Sequence, residues 1–334
     1  MQKILTRLKE KKVIDLPLIN DVLGHFKYQG SDKVNRPSKL LSTTNVKQTA
    51  SQMWNFLRFF PLQFSPFIPA DEPLWELVIL LVSIVDVVMS PCQCPESIAL
   101  MHTHIQDFND IVRETFGSDS LTPKMHFLTH YPSLTSKFGP LYHCSTLRFE
   151  AKHSYFKSIA RQTKNTKNIC YTLAKRHQLL QCYQSCSTNL LANEMVAGQV
   201  RETKVDELPE DIQLLIAPLH VPGSHYQKAS KVTINGTKYC KDMCLCVAVK
   251  GGLCQFAQID MIFIKECEAY FVCNDYTTIS YDKKRHAYLL SVNPDVKSLR
   301  KQSSFLSYYP LHIYTNDGHK FVVLKYTIIE ELLQ

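Results

Sequence analysis

One carboxylate stands among many cations in residues 123–183, PKMHFLTHYPSLTSKFGPLYHCSTLRFEAKHSYFKSIARQTKNTKNICYTLAKRHQLLQCY. That carboxylate belongs to Glu150. The spacing of apolar and charged residues predicts a helix over 146–162, in which successive residues are rotated by about 100°. On that helix one stripe holds Glu150, Ser154, Lys157 and Arg161, with His153 and Lys164 at its edge. The opposite side holds Phe149, Tyr155, Phe156 and Ile159, which we expect to face a core.

Two interpretations of this stripe are open. A basic helical face with one embedded carboxylate suits a site that holds a phosphodiester backbone and a metal ion, because cations neutralise phosphates and a carboxylate ligates the metal. Alternatively, Glu150 pairs with His153 one turn on, and the remaining cations form a solvated face. Composition and periodicity alone favour the solvated face.

A resemblance shifts this balance. Four strings carry it: PKMHFLTHYP (123–132), FGPL (138–141), TLRFEAKHSYFK (146–157) and NTKNICYTLAKRHQLLQCY (165–183). Together they resemble the C-terminal part of transposases of the CACTA (EnSpm) type, especially the animal versions and their host-resident relics. The resemblance extends more weakly back to about Phe26 and covers roughly the first 185 residues.

The resemblance implies an RNase H-like nuclease core in which two Asp and a final Glu hold two metal ions, with a helical domain inserted before the Glu. Glu150 matches the final Glu. No Asp of this chain matches the first two acids, although several are available: Asp15, Asp21, Asp71, Asp86, Asp107 and Asp110. Two-metal phosphoryl transfer needs carboxylates on both sides of the metals. We therefore expect a relic without enzymatic activity and without a cofactor; Mg²⁺ or Mn²⁺ would bind only if the missing acids came from elsewhere.

The net charge of +8 is concentrated around the same motif. Residues 148–176 contain eight Lys and Arg against Glu150 alone, a net charge of +7. A basic cluster of this kind favours a polyanionic partner. We expect DNA binding with little sequence preference, through Arg148, Lys152, His153, Lys157, Arg161, Lys164 and Lys167.

Length and patterning predict an α+β chain with two domains. Residues 1–186 read as the helical transposase-like region, and the acidic, proline-containing segment 187–230 reads as a linker. Residues 231–334 alternate with period two and contain Asn235-Gly236, Gly251-Gly252 and Asp317-Gly318, which are hairpin signals. This part is expected to form a small antiparallel β barrel or sandwich that shares few contacts with the helical region. Its strands are expected near 232–240, 243–249, 254–264, 269–276, 286–292, 311–315 and 320–327.

The twelve cysteines show no disulfide framework, and no secretory signal follows the basic start, so we expect reduced thiols in a nuclear or cytoplasmic protein. Residues 74–89 are too short and too charged for a membrane span and predict a core helix. Two sets of residues could ligate zinc, but the pairs of the first set are spaced more closely than in structural zinc sites, and the cysteines of the second set are favoured as small buried apolar residues. The sets are Cys92, Cys94, His102 and His104, and Cys240, Cys244, Cys246 and Cys254.

A second function, from another class, is that of a protein-interaction or scaffold protein acting through the C-terminal β module. The two hypotheses differ in one structural expectation. An exposed, continuous basic cluster favours DNA binding, whereas pairing of that cluster with the acidic segment 205–213, VDELPEDIQ, favours the scaffold.

Overall fold

The computed structural model describes residues 1–69, 71–164, 167–186, 195–217, 226–266, 268–294 and 296–328, apart from the side chains of residues 147–151. Helices occupy the N-terminal half and antiparallel sheets the C-terminal part. The predicted α+β class is therefore confirmed. Among the described residues, no helix combines the length and apolarity that a membrane crossing requires.

Eleven helices lie within the described residues. They are α1 (Gln2–Glu10), α2 (Leu16–His25), α3 (Gly30–Val34), α4 (Ala50–Phe64), α5 (Pro73–Val88), α6 (Pro95–Phe116), α7 (Pro123–Leu128), α8 (Tyr131–Phe138), α9 (Leu147–Thr163), α10 (Ile169–Cys186) and α11 (Glu210–Ile216). Local signals fix several boundaries: the Asp15 carboxylate caps α2, and a reciprocal Thr49–Gln52 capping box begins α4. The apolar α5 packs in the core of the helical half, as its composition predicts.

The described strands are β1 (Met195–Ala197), β2 (Val200–Thr203), β3 (Tyr226–Ala229), β4 (Lys231–Ile234), β5 (Thr237–Cys240), β6 (Cys244–Lys250), β7 (Leu253–Lys265), β8 (Glu268–Tyr276), β9 (Thr278–Asp282), β10 (Ala287–Leu290), β11 (Val296–Lys301), β12 (Ile313–Asn316) and β13 (His319–Val322). They form three sheets, in the orders β1-β4-β5, β11-β8-β7-β3-β2 and β12-β13-β10-β9, and β6 also pairs with β7. The 13-residue β7 is long enough to pair with β6 along its first half and with β3 near its end.

The sheet that contains β7 and β8, which we call the central sheet, is covered on both faces. On one face, Val232 and Tyr239 of the β1-β4-β5 sheet pack against Ile259 and Phe271. On the other face, Ile212 of α11 packs against Phe263. Both layers draw on residues 195–229, so part of the segment predicted as a linker is built into the β-rich part.

The three hairpin signals are confirmed. The turn residues Asn235-Gly236, Gly251-Gly252 and Asp317-Gly318 all have positive φ, between 49° and 79°, and they join β4 to β5, β6 to β7 and β12 to β13. Two consecutive residues of positive φ make the tight turn that matches the twist of paired strands. The strands β9 and β11 were not predicted from the sequence.

The expectation of few contacts between the two halves is wrong. Phe59 and Leu62 of α4 are fully buried against Tyr314, Phe321 and Val323 of the β-rich part. His286, just before β10, lies with Nε2 2.8 Å from Oδ2 of Asp86 on α5. The physical reason is that α4 is apolar on more than one side, so that it packs against α5 on one side and against the β-rich part on another.

Candidate nucleic-acid interface

Helices α9 and α10 form the region that the sequence singles out. The bounds of α9 lie within one residue of the helix predicted over 146–162. Lys164 ends α9 in the left-handed conformation, with a φ of 50°. We call the described residues of α9 and α10, together with Lys164 and Lys167, the basic hairpin.

The two helices contact each other through aromatic rings. The His177 ring of α10 lies 5.5 Å from the ring of Phe156 and 6.0 Å from that of Tyr155, both on α9. Ile159 is buried, as the periodicity predicts, and Tyr155 and Phe156 are half-buried. None of the described residues of α10 is buried, so most of the surface of this helix faces solvent.

The predicted binding residues that the structure describes are all exposed. In the basic hairpin these are Lys152, His153, Lys157, Arg161, Lys164 and Lys167. Lys175 and Arg176 of α10, which belong to the same basic cluster, are exposed as well. The Lys152 ammonium lies 4.8 Å from the centre of the Tyr155 ring, a cation–π contact that keeps it at the hairpin surface. The side chains of Glu150 and Arg148 lie outside the described residues, although both positions belong to α9.

The cations of the stripe are not neutralised by described carboxylates. The ion pairs between described side chains include none of Lys152, Lys157, Arg161 and Lys164. In the acidic segment 205–213, the Asp211 carboxylate lies 2.7 Å from the Lys297 ammonium of β11, and this contact lowers the pKa of Asp211. This carboxylate thus pairs within the β-rich part and not with the basic hairpin.

Three of the other acids considered for a metal site make separate contacts. Asp15 accepts a hydrogen bond from the backbone N–H of Leu18, Asp86 pairs with His286, and Asp110 pairs with Arg113. Among the described residues, no group of three or more His, Cys, Asp and Glu could hold a metal ion. Glu150 falls outside that finding.

The four cysteines of the second candidate zinc set lie in two different apolar clusters. Cys244, Cys246 and Cys254 are buried in one apolar cluster, whereas Cys240 packs against another cluster on the central sheet. Burial raises the pKa of the Cys244 thiol and of the Cys273 thiol, the latter to about 12, and so favours the protonated form of both. These thiols act as small apolar residues of the core.

A polar centre between the two halves was not predicted from the sequence. The Arg58 guanidinium on α4 donates to Asp32 of α3 and to the carbonyl oxygens of Val323 and Leu324. Asp32 also accepts a hydrogen bond of 2.8 Å from the Tyr314 hydroxyl. Burial would raise the pKa of the Asp32 carboxyl, but the charge and hydrogen bonds of Arg58 outweigh it and hold the pKa below its usual range. A lone Arg within the apolar run WNFLRFFPLQF was the available signal, because a buried Arg requires a partner.

No family model, curated protein or solved structure matches this chain.

Proposed function

We propose that this chain is a transposon-derived protein, the C-terminal part of a CACTA-like DDE transposase that no longer carries out strand transfer and that binds DNA without sequence preference. On this proposal the helical half corresponds to the helical insertion and the last helices of an RNase H-like core. The β-rich part is a small barrel or sandwich module joined to it. The observation that supports DNA binding is the set of exposed cations on the basic hairpin, of which Lys152, Lys157, Arg161 and Lys164 form no ion pair with a described carboxylate.

The spacing of these cations suits a phosphate backbone. Lys157, Arg161 and Lys164 follow one another along α9 and span about 10 Å at a rise of about 1.5 Å per residue. That length corresponds to about three phosphates of one DNA strand, which are spaced by about 3.4 Å along the duplex axis. Contacts of this kind position a protein on the backbone and carry no sequence information. The hairpin therefore fits nonspecific binding.

The scaffold alternative depends on a different arrangement. It expects the acidic segment 205–213 to neutralise the basic cluster, so that the helical half serves only to support the β module. The contact from Asp211 to Lys297 instead uses that acid within the β-rich part. This observation favours the DNA-binding proposal over the scaffold.

The proposal is tested by measuring the binding of the full chain to a labelled duplex by fluorescence anisotropy at low salt. Replacing Lys157 and Arg161 together by Ala should weaken binding by about tenfold or more, because two phosphate contacts are lost. The matched control replaces Lys238 and Lys250, two exposed lysines of the β-rich part, and should leave the affinity unchanged. Two duplexes of unrelated sequence should bind equally well. Equal affinity of the hairpin variant and the wild type would contradict the proposal.

A further inference from the structure

A cavity of about 170 Å³ lies between the two halves of the protein. Its helical side is formed by residues of α3 and α4, together with Tyr142 from the short turn that precedes α9. Its other side is formed by Tyr309, Lys325 and Tyr326 of the β-rich part. The cavity is separate from the exposed cations of the basic hairpin.

Three charged residues line this cavity: Asp32, Arg58 and Lys325. The single carboxylate of Asp32 is held by Arg58, with Oδ1 2.8 Å from Nη1, and by the hydroxyl of Tyr314. Among the described residues, no carboxylate forms an ion pair within 4.0 Å of the Lys325 ammonium. The lining therefore carries a net charge of +1, which a bound anion would balance.

The Lys325 side chain is directed to the cavity by two contacts. Its ammonium donates to the Ser31 hydroxyl at 3.2 Å and lies 5.9 Å from the centre of the Tyr309 ring. Burial, and then the charge of Arg58, lower the pKa of this ammonium to about 8, and the charge of Asp32 offsets only part of that shift. The charged form of Lys325 thus lacks the stabilisation that a neighbouring anion would provide.

The other polar groups of the lining are mainly donors or hydroxyls. Trp54 lines the cavity, and its buried indole N–H has no hydrogen-bond acceptor among the described residues. The Tyr142 and Tyr309 hydroxyls lie 3.1 Å apart, across the two halves. A buried donor without a partner is costly, so an acceptor in this cavity would be favourable.

We propose that this cavity binds a small oxyanion, a phosphate or carboxylate group, with the Lys325 ammonium as its counter-ion and the Trp54 indole N–H as a hydrogen-bond donor. This proposal rests on the cavity and not on DNA binding by the basic hairpin.

The test is titration calorimetry of the full chain with inorganic phosphate and, separately, with benzoate, at pH 7.5 and constant ionic strength. The wild type should bind at one site. Lys325→Met should weaken binding by about tenfold or more, and Trp54→Phe, which keeps an aromatic ring but loses the N–H, by several-fold. Lys320→Met is the matched control, because Lys320 also lies over a tyrosine ring, that of Tyr276, but outside the cavity.

The pH dependence gives an independent readout. Binding at pH 8 should take up a proton, seen as an enthalpy that varies with the ionisation enthalpy of the buffer, and affinity should fall as the pH rises above 8. Arg58 and Asp32 are the other charged groups facing Lys325, and the pKa of the Asp32 carboxyl is held below its usual range, so this carboxylate stays charged near pH 8. Lys325→Met should abolish the proton uptake.

DNA binding distinguishes the two sources of such an oxyanion. If Lys325→Met weakens DNA binding as much as phosphate binding, the site holds a phosphate of the nucleic acid; if DNA binding is unchanged, it holds a free oxyanion. The proposal is overturned if neither anion gives a saturable signal, or if Lys325→Met and Trp54→Phe both bind like the wild type. Equal weakening by Lys320→Met would also overturn it, because it would show that loss of a positive charge outside the cavity has the same effect on anion binding.

Discussion

Nε of Arg58 donates a 2.7 Å hydrogen bond to the carbonyl oxygen of Leu324, across a sequence separation of 266 residues. The same guanidinium forms a buried ion pair with Asp32, in which the two side chains are 2% and 3% exposed. Arg58 thereby holds the short helix α3, the helix α4 and the residues Val323 and Leu324 in one arrangement. The two halves, joined also by the apolar cluster around Phe59, are expected to unfold together.

Arg58→Met should strongly destabilise the protein. Removing the guanidinium leaves the Asp32 carboxylate buried without a counter-ion, which typically costs about 3–5 kcal/mol. Asp32→Asn combined with Arg58→Met should cost less than Arg58→Met alone, since no unpaired charge remains. The measurement is urea unfolding followed by tryptophan fluorescence, because both tryptophans lie in the helical half.

Hydrogen exchange of the backbone amides of β7 and β8, measured over the same range of urea concentrations, reports the unfolding of the β-rich part. In the wild type the two transitions should coincide. Unfolding of the helical half at a lower urea concentration than β7 and β8 would contradict the coupling through Arg58, as would a double variant less stable than Arg58→Met.

The stability of the protein should decrease as the pH falls below about 7, in part through His312. Burial is the main cause that lowers the pKa of this imidazole below its usual 6.5; Arg58 and Lys325 lower it further, and Asp32 and Asp242 oppose them. The unfolded chain therefore binds a proton at a higher pH than the folded chain does, and the free energy of unfolding falls as the pH drops through 6.5.

Replacing His312 by Gln removes this titration. As the pH falls from 7 to 5, the wild type should lose stability relative to the variant, by at most about 1.4 kcal/mol per pH unit. Urea midpoints measured at half-unit pH steps provide the check. A difference that stays constant across this range would show that His312 titrates in the same way in both states.

Local signals account for the parts of the fold that the sequence predicted. The turn at Asn235-Gly236 depends on two adjacent residues of positive φ, and α9 depends on its own periodicity, so neither needs knowledge of the rest of the chain. By contrast, β9 and β11 are edge strands of their sheets. The polar β11, VKSLRK, has an exposed Val296 and lacks the alternating burial that reveals a strand.

The basic hairpin and the cavity differ in the same way in how far the sequence predicts them. The exposed cations around Lys157 could be read from composition, because charge density needs no partner to be identified. The cavity around Lys325 could not, since it depends on contacts between Ser31 and Lys325 across a sequence separation of 294 residues. In the sequence, the interface between the two halves is indicated by single charged residues within apolar runs, Arg58 and Asp86.

The purified protein should neither nick nor join DNA in the presence of Mg²⁺ or Mn²⁺. One carboxylate at position 150 cannot hold two metal ions, and Asp15, Asp86 and Asp110 serve other contacts. Supercoiled plasmid incubated with either metal, and analysed on a gel, provides the measurement. Metal-dependent cleavage that Glu150→Gln abolishes would show that other acids complete the site, and the relic interpretation would then be wrong.

Without metal, Glu150→Gln should strengthen DNA binding modestly. The substitution removes the only negative charge from residues 148–176, so repulsion of the phosphates decreases. Anisotropy titrations in the presence of a chelator compare the two proteins. Weaker binding by Glu150→Gln would indicate that the carboxylate supports the hairpin and does not oppose DNA.

The salt dependence of DNA binding tests the central claim most directly. Each phosphate contact releases condensed counterions, so the logarithm of the association constant should fall linearly with the logarithm of the salt concentration. Replacing Lys157 and Arg161 by Ala should flatten this slope by about two units, roughly one for each lost contact, and leave the melting temperature nearly unchanged. An unchanged slope and affinity in this variant would contradict the account and identify the basic hairpin as a solvated surface.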